Sequence, residues 1–396
     1  MPSAESMPVE TAPWGVTSII EALTPWLFRS GAVCVGLASI AIGLLYAKQD
    51  SLLYFPEIGG VPRRPSNNPR RYRSPSEHSI PHETHMIPCQ DGISIHSWLL
   101  LQKTEPPPSS RPTIIFFHGN AGNIGLRLPN AIQMYQALKC NVFLVEYRGF
   151  GDSDDTTPNE SGLKLDSEAA LRFLLDHPQI DSSKIFVFGR SLGGGVGFHL
   201  ASYAQRENVP LAGLIVENTF LSIAKMVDTL MPLVAPLKGL ILRIGWDSSA
   251  IAPTLSIPVL YLAGGNDQLV PHSHMKELYA LSGKRSVMAR MHVVPGGTHN
   301  ETWLQGGNKY WQKIMAFITD AIRHGEGGGG KGYDLGEESD DHSSAVGASV
   351  ANVEVLMGTN DGGSSSTVRS SIPTIPGNML GMAKEAATAA GGVSKR

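Results

Sequence analysis

The run Lys184-Ile-Phe-Val-Phe-Gly189-Arg190-Ser191-Leu192-Gly193-Gly194-Gly195 constrains the fold of this chain more than any other stretch. A β-branched and aromatic strand meets G-x-S-x-G and opens into a helix, the sequence form of a nucleophile elbow. A serine hydroxyl is a poor nucleophile at neutral pH, so it has to be thrust clear of the backbone to where a base can reach it, and a sharp strand-to-helix turn does this. Gly189 and Gly193 stand where a side chain would strike the neighbouring strand or helix. The backbone N–H of Leu192, at a helix N-terminus, is left to bind an oxyanion. A glycine-rich turn closing a strand is the plain alternative, so the motif needs context.

An elbow of this kind requires an acid and then a histidine downstream, each on a loop after a later strand. Ile257-Pro-Val-Leu-Tyr-Leu-Ala-Gly-Gly-Asn-Asp267 reads as a strand ending in a turn that carries Asp267, and Met291-His-Val-Val-Pro-Gly-Gly-Thr-His299 repeats the design with His299. The chain order supports a catalytic Ser191, Asp267 and His299. Thr113-Ile-Ile-Phe-Phe-His118-Gly119-Asn120 is a further apolar strand running into small residues, and the backbone of Asn120 is assigned as the second oxyanion donor beside Leu192. Glu217, ending the strand Leu211 to Glu217, competes with Asp267 as the acid. His118 precedes the nucleophile and reads as a residue holding its loop, while His272, His274 and His292 read as surface or core histidines.

Elsewhere strands and helices alternate. Met86 to Leu101 looks like a hairpin turning at Asp91-Gly92, Asn141 to Glu146 a strand, and Ser161 to Asp176 a helix. Such alternation implies an α/β fold, a mostly parallel sheet with helices on both faces. The apolar insertion Asn218 to Ser256 is expected to form a short helical lid, with Phe220, Met226 and Met231 as substrate-binding residues; the same residues could simply cover the sheet.

His118-Gly-Asn-Ala-Gly-Asn, Glu146-Tyr-Arg-Gly-Phe-Gly151, Phe188-Gly-Arg-Ser191-Leu-Gly-Gly, Val216-Glu-Asn-Thr-Phe-Leu-Ser and Gly297-Thr-His299-Asn-Glu-Thr-Trp together resemble the α/β-hydrolase domain-containing protein 13 subfamily, from about Gln49 to about Arg323. The resemblance implies an α/β-hydrolase fold and a membrane-anchored serine hydrolase with Ser191, Asp267 and His299 as its triad. Through the neighbouring depalmitoylases it also implies cleavage of palmitoyl thioesters. A lipase-like carboxylesterase, an aminopeptidase-type hydrolase and a non-enzymatic membrane scaffold are the alternatives.

Ser30 to Ala47 carries no charge, which is the length of a short spanning helix. Trp26 and Tyr46 sit where interfacial aromatics belong, so a transmembrane anchor over 30–47 is expected in preference to a cleaved signal peptide. A positive-inside count leaves the hydrolase in the cytosol, whereas the resemblance implies a lumenal domain. Residues 48–82 read as a Pro/Arg-rich solvated linker or a stretch lying along anionic lipid, 83–324 as the hydrolase, and 325–396 as a disordered tail. Three cysteines give no disulfide framework and no zinc spacing, and no cofactor or metal motif appears. A net charge of −3 gives no electrostatic case for nucleic acid, so the expected partners are the lipid bilayer and an acylated protein or lipid substrate.

Overall fold

A computed structural model describes residues 16–57 and 59–328; the N-terminal residues 1–15 and nearly all of the expected tail lie outside the described residues. Eight strands form one sheet in the order β1-β2-β4-β3-β5-β6-β7-β8. They are β1 (His82–Pro88), β2 (Ser94–Leu100), β3 (Thr113–Phe117), β4 (Asn141–Val145), β5 (Ile185–Arg190), β6 (Gly213–Glu217), β7 (Val259–Gly264) and β8 (Ala289–Val294). The β1–β2 hairpin turns where expected, with Gly92 at φ 83°. β1 pairs antiparallel with β2 and β2 with β4, while the strands from β4 to β8 run parallel.

Ten α-helices accompany the sheet among the described residues: α1 (Val16–Leu53), α2 (Leu128–Leu138), α3 (Glu160–Leu175), α4 (Leu192–Glu207), α5 (Ile223–Leu230), α6 (Lys238–Ile241), α7 (Ser248–Ile251), α8 (His272–Ser282), α9 (Thr302–Gln305) and α10 (Gly307–Arg323). The continuous apolar strands follow from burial on both faces. Ile115, Phe117, Phe143, Val145, Ile185 and Val187 point into a core closed by α3, α4 and α8. Their alternates Ile114, Phe116, Val142, Leu144, Phe186 and Phe188 point into a second core closed by α2 and α10. Each fully buried Phe contributes about 1.5–3 kcal/mol, so the strand ends that bear the site belong to a stiff platform.

α1 is longer than the expected span. It has 38 residues, about 57 Å at 1.5 Å per residue, and the stretch Leu23–Leu53 is long and apolar enough to cross a membrane, with none of its most apolar window buried. Several residues in the stretch 48–82, expected as a linker, dock on the hydrolase, while Arg64, Arg70, Arg71 and Arg73 stay exposed. Tyr54, Pro65 and Asn68 are buried, the Asn68 and Asn123 side-chain amides exchange hydrogen bonds at 2.8 and 3.1 Å, and Arg63 donates to the Ser153 carbonyl at 2.8 Å while pairing with Asp155. The physical reason is polar matching. The loops after β3 and β4 present acceptors that this Arg- and Asn-bearing segment satisfies.

Candidate active site

The parallel strands end in one row, with Phe117 beside Val145 and Gly189, Gly189 beside Val216, and Val216 beside Tyr261. The residues just beyond their carboxyl ends therefore meet above the sheet edge, the usual place for a ligand in such folds. Ser191 follows β5 with φ 54° and ψ −119°, a conformation that costs a non-glycine residue about 1–3 kcal/mol. The surroundings hold it there. Its N–H donates to the Glu217 carbonyl at 2.9 Å, and its carbonyl accepts from Gly194 N–H at 2.9 Å and Thr219 Oγ1 at 2.8 Å. A Cβ on Gly189 would strike the Gly193 carbonyl, and one on Gly193 would strike the Phe117 carbonyl, so both elbow glycines stand where backbone meets backbone.

The structure brings Ser191, His299 and Asp267 together. His299 Nε2 lies 3.0 Å from Ser191 Oγ, and His299 Nδ1 lies 2.7 Å from Asp267 Oδ2. A carboxylate can only accept, so Nδ1 carries the proton and the Nε2 lone pair faces the hydroxyl. Asp267 Oδ1 accepts the backbone N–H groups of Leu269 and Val270, each at 2.9 Å, which fixes the carboxylate's orientation. The Asp267 side chain is 1% exposed and that of His299 12%, so the pair is nearly sealed from bulk water.

Leu192 is the first residue of α4, and no residue of that helix can accept from its N–H. The loop after β3 passes directly over the serine: a Cβ on Gly119 would sit 3.7 Å from that of Ser191. Asn120 is held from the far side, its carbonyl accepting Phe55 N–H at 2.8 Å and its Nδ2 donating to the Leu53 carbonyl at 2.8 Å. His118 Nδ1 donates to the Gly119 carbonyl at 2.7 Å, Tyr147 OH donates to the His118 carbonyl at 2.8 Å, and His118 Nε2 stands 3.2 Å from Glu146 Oε1. Complete burial lowers the imidazole below its ordinary value despite the nearby carboxylate, so this histidine braces the loop.

The competing acid is engaged elsewhere. Glu217 is fully buried, with one oxygen on Arg190 Nε and the other on Tyr310 OH, while Arg190 also donates to Asn130 Oδ1 at 2.9 Å. His272 and His274 lie at the start of α8 and His292 within β8, as expected. Of the lid residues, Phe220 is sunk into the core, Met226 packs half-buried against it, and Met231 is exposed.

Sequence reasoning missed the clamp behind the histidine loop. Asn218 Oδ1 accepts Gly264 N–H at 2.7 Å, and its Nδ2 donates to the His299 carbonyl at 3.0 Å and to Thr302 Oγ1 at 2.9 Å, tying the ends of β6 and β7 to the loop that presents His299. Its φ of 49° is one asparagine tolerates, and the only sequence signal was its place in the Val216-Glu-Asn-Thr-Phe motif. Among the described residues one group has the composition of a metal site, Glu83, His85 and His177. There Gln179 N–H donates to His177 Nδ1 at 3.3 Å, so Nε2 bears the proton it directs at Glu83 Oε2, 3.0 Å away. In that tautomer the nitrogen facing Glu83 bears a proton, and His85 Nε2 also lies 2.9 Å from Glu83 Oε2, so the three side chains form a hydrogen-bonded cluster.

Comparison with known proteins agrees with this fold. A family profile described as alpha/beta hydrolase fold matches residues 112–238. Protein bem46 of Schizosaccharomyces pombe is 36% identical over 76% of this chain and 96% of its own length. The α/β-hydrolase domain-containing protein WAV2 of Arabidopsis thaliana is 35% identical over 72% and 91%, and an uncharacterized membrane protein of Saccharomyces cerevisiae is 32% identical over 72% and 94%. The solved esterase Pf2001 of Pyrococcus furiosus superposes with a TM-score of 0.52 at 17% identity, covering 68% of this chain and 98% of that one, a likeness of fold. Relatives more than 30% identical and matched over more than nine-tenths of their own length show that the chain belongs to the α/β-hydrolase family, in the branch of Protein bem46 and α/β-hydrolase domain-containing protein 13.

Proposed function

We propose that the protein is a single-pass membrane serine hydrolase that cleaves acyl esters or thioesters through an acyl-enzyme, with palmitoyl-protein thioesters within its substrate class. One observation carries the reading: the hydrogen-bonded chain from Ser191 Oγ through His299 to Asp267, at 3.0 and 2.7 Å. Ser191 Oγ attacks the acyl carbonyl while His299 Nε2 takes its proton, and Asp267 holds the imidazole in that tautomer and stabilises the imidazolium. The N–H groups of Leu192 and Asn120 receive the negative charge of the tetrahedral intermediate. His299 returns the proton to the leaving alcohol or thiol as the acyl–serine bond forms. Water, deprotonated by His299, then attacks that bond and releases the carboxylic acid and the serine.

The lid supports an acyl substrate through Met226, an adaptable apolar side chain packed half-buried against the core that holds Phe220. Anchoring is supported by the apolar Leu23–Leu53 stretch and by a yeast relative described as a membrane protein. The test is hydrolysis by the full chain in detergent micelles, offered short- and long-chain p-nitrophenyl esters, acyl thioesters, glycerol esters and aminoacyl amides. Esters or thioesters should be turned over, and Ser191→Ala should fall by several orders of magnitude. Faster cleavage of the amides, or an unaffected Ser191→Ala, would reject the proposal.

A further inference from the structure

The foot of α1 and the lid form one surface. Gln49 lies just beyond the apolar run that ends at Ala47, and it is buried against the lid. Its Nε2 donates to the Ile241 carbonyl at 2.6 Å and its Oε1 accepts Arg243 N–H at 2.9 Å. Arg243 also donates to the Tyr46 carbonyl at 3.4 Å and pairs with Asp50. These bonds set the lid level with the point at which α1 changes from apolar to polar. The neighbouring apolar side chains then face outward: Leu233 is 93% exposed and Leu240 69%, with Leu230, Met231 and Leu237 exposed beside them. In the stretch 230–240 the charged Lys238 is matched by Asp228, with Nζ 2.6 Å from Oδ2. A cluster of this kind on a folded protein marks an interaction surface.

Continuity identifies the occupant. Leu44 and Tyr46 on α1 are exposed in the same way, and Tyr46 is joined through Arg243 to the segment that follows Ile241. A medium that receives the end of the α1 apolar run at Tyr46 also meets Leu240. The roots of the lid reach the serine: Thr219 Oγ1 donates to the Ser191 carbonyl at 2.8 Å, and the Trp246 ring would lie 3.3 Å from a Cβ on Gly195, in the first turn of α4. Leu53 and Phe55, at the foot of α1, hold Asn120.

We propose that the outer face of the lid, Leu230 to Leu240, lies in the acyl layer of the leaflet that α1 enters, so that the site draws its acyl chain sideways out of the bilayer. The contact itself follows from the anchor; the lateral supply of substrate rests on the serine-hydrolase reading.

The test uses the full chain in phosphatidylcholine vesicles. A photoreactive benzoylphenylalanine replaces Leu233, Leu240, Leu44 as the membrane reference, or Gln179 as an exposed reference on the hydrolase body. Phospholipid adducts at 233 and 240, matching 44 and absent at 179, are expected. Adducts at 44 without any at 233 and 240, or adducts there between two protein copies, would overturn the contact. The double variant Leu233→Ser with Leu240→Ser should cleave a long-chain ester dissolved in the bilayer at least tenfold more slowly, with hydrolysis of a soluble short-chain ester and fluorophosphonate labelling of Ser191 unchanged. Equal loss on both substrates would show a lid that merely supports the fold and overturn the lateral route. Wild-type protein that gives lipid adducts but takes no fluorophosphonate would fail the hydrolase reading alone.

Discussion

Replacing Asp267 by asparagine should abolish catalysis without unfolding the protein. Oδ1 accepts two backbone N–H groups, from Leu269 and Val270, and an amide NH2 cannot face two donors. The substituted side chain is therefore forced to keep its oxygen there and to turn its NH2 toward His299 Nδ1, where the carboxylate oxygen stood at 2.7 Å. Nδ1 must then accept, the ring proton moves to Nε2, and the nitrogen 3.0 Å from Ser191 Oγ presents a proton where a lone pair is needed. The same substitution in a serine protease triad lowers kcat by about 10⁴-fold through this wrong tautomer. At 1.36 kcal/mol per decade that is about 5.4 kcal/mol of transition-state stabilisation. Both backbone hydrogen bonds survive, so the melting temperature should move by only a few degrees. The assay is kcat on a soluble short-chain ester alongside thermal unfolding. A kcat within tenfold of wild type at an unchanged melting temperature would show that Asp267 does not orient the base.

Three further outcomes follow from other contacts. Glu217→Leu leaves the buried Arg190 guanidinium facing no carboxylate and should destabilise the domain by about 3–5 kcal/mol in denaturant titration; a change under 1 kcal/mol would show that the pair contributes little. Phe55→Pro removes the N–H that holds the Asn120 carbonyl at 2.8 Å, and should lower kcat roughly tenfold to a hundredfold, short of the loss of a whole oxyanion donor, with KM nearly constant. An unchanged kcat would mean that the loop keeps its place without the anchor segment. Burial lowers His96, His118 and His274 below their ordinary value, so between the folded and unfolded values the unfolded chain binds more protons. Stability should thus be fully present above about pH 6.5 and fall as pH drops below it, by up to about 1.4 kcal/mol per unit for each histidine. A melting temperature flat from pH 7.5 to 5.5 would contradict this.

The elbow was legible because its physics leaves little choice of residue: a serine at positive φ between crossing backbones demands glycine at 189 and 193. Chain order pointed to His299 and left Glu217 competing with Asp267 as the acid, since parallel strands deliver successive loops to one edge. The packing of residues 48–73 was not legible, because Pro- and Arg-rich composition reads as a linker. What fixes it are single polar matches across long separations, Gln49 to Ile241, Leu53 to Asn120 and Asn68 to Asn123, and local pattern does not encode them. The lid was legible only as apolar. α5 has eight residues and α6 four, and Phe220 and Leu233 lie in the irregular segments outside both, where no periodicity tells a core-facing side chain from an outward one. The role of Asn218 was hidden for a related reason, as its clamp joins β6 and β7 to a loop some eighty residues away.

The most direct test of the central claim is peptide mass mapping of the full chain, in membranes, after reaction with a fluorophosphonate. The hydroxyl that His299 activates should carry the adduct, so a single phosphonylated peptide containing Ser191 is expected, and its formation should be slowed by several orders of magnitude in His299→Ala. An adduct on another serine, or equal labelling of Ser191 with and without the imidazole, would contradict the account.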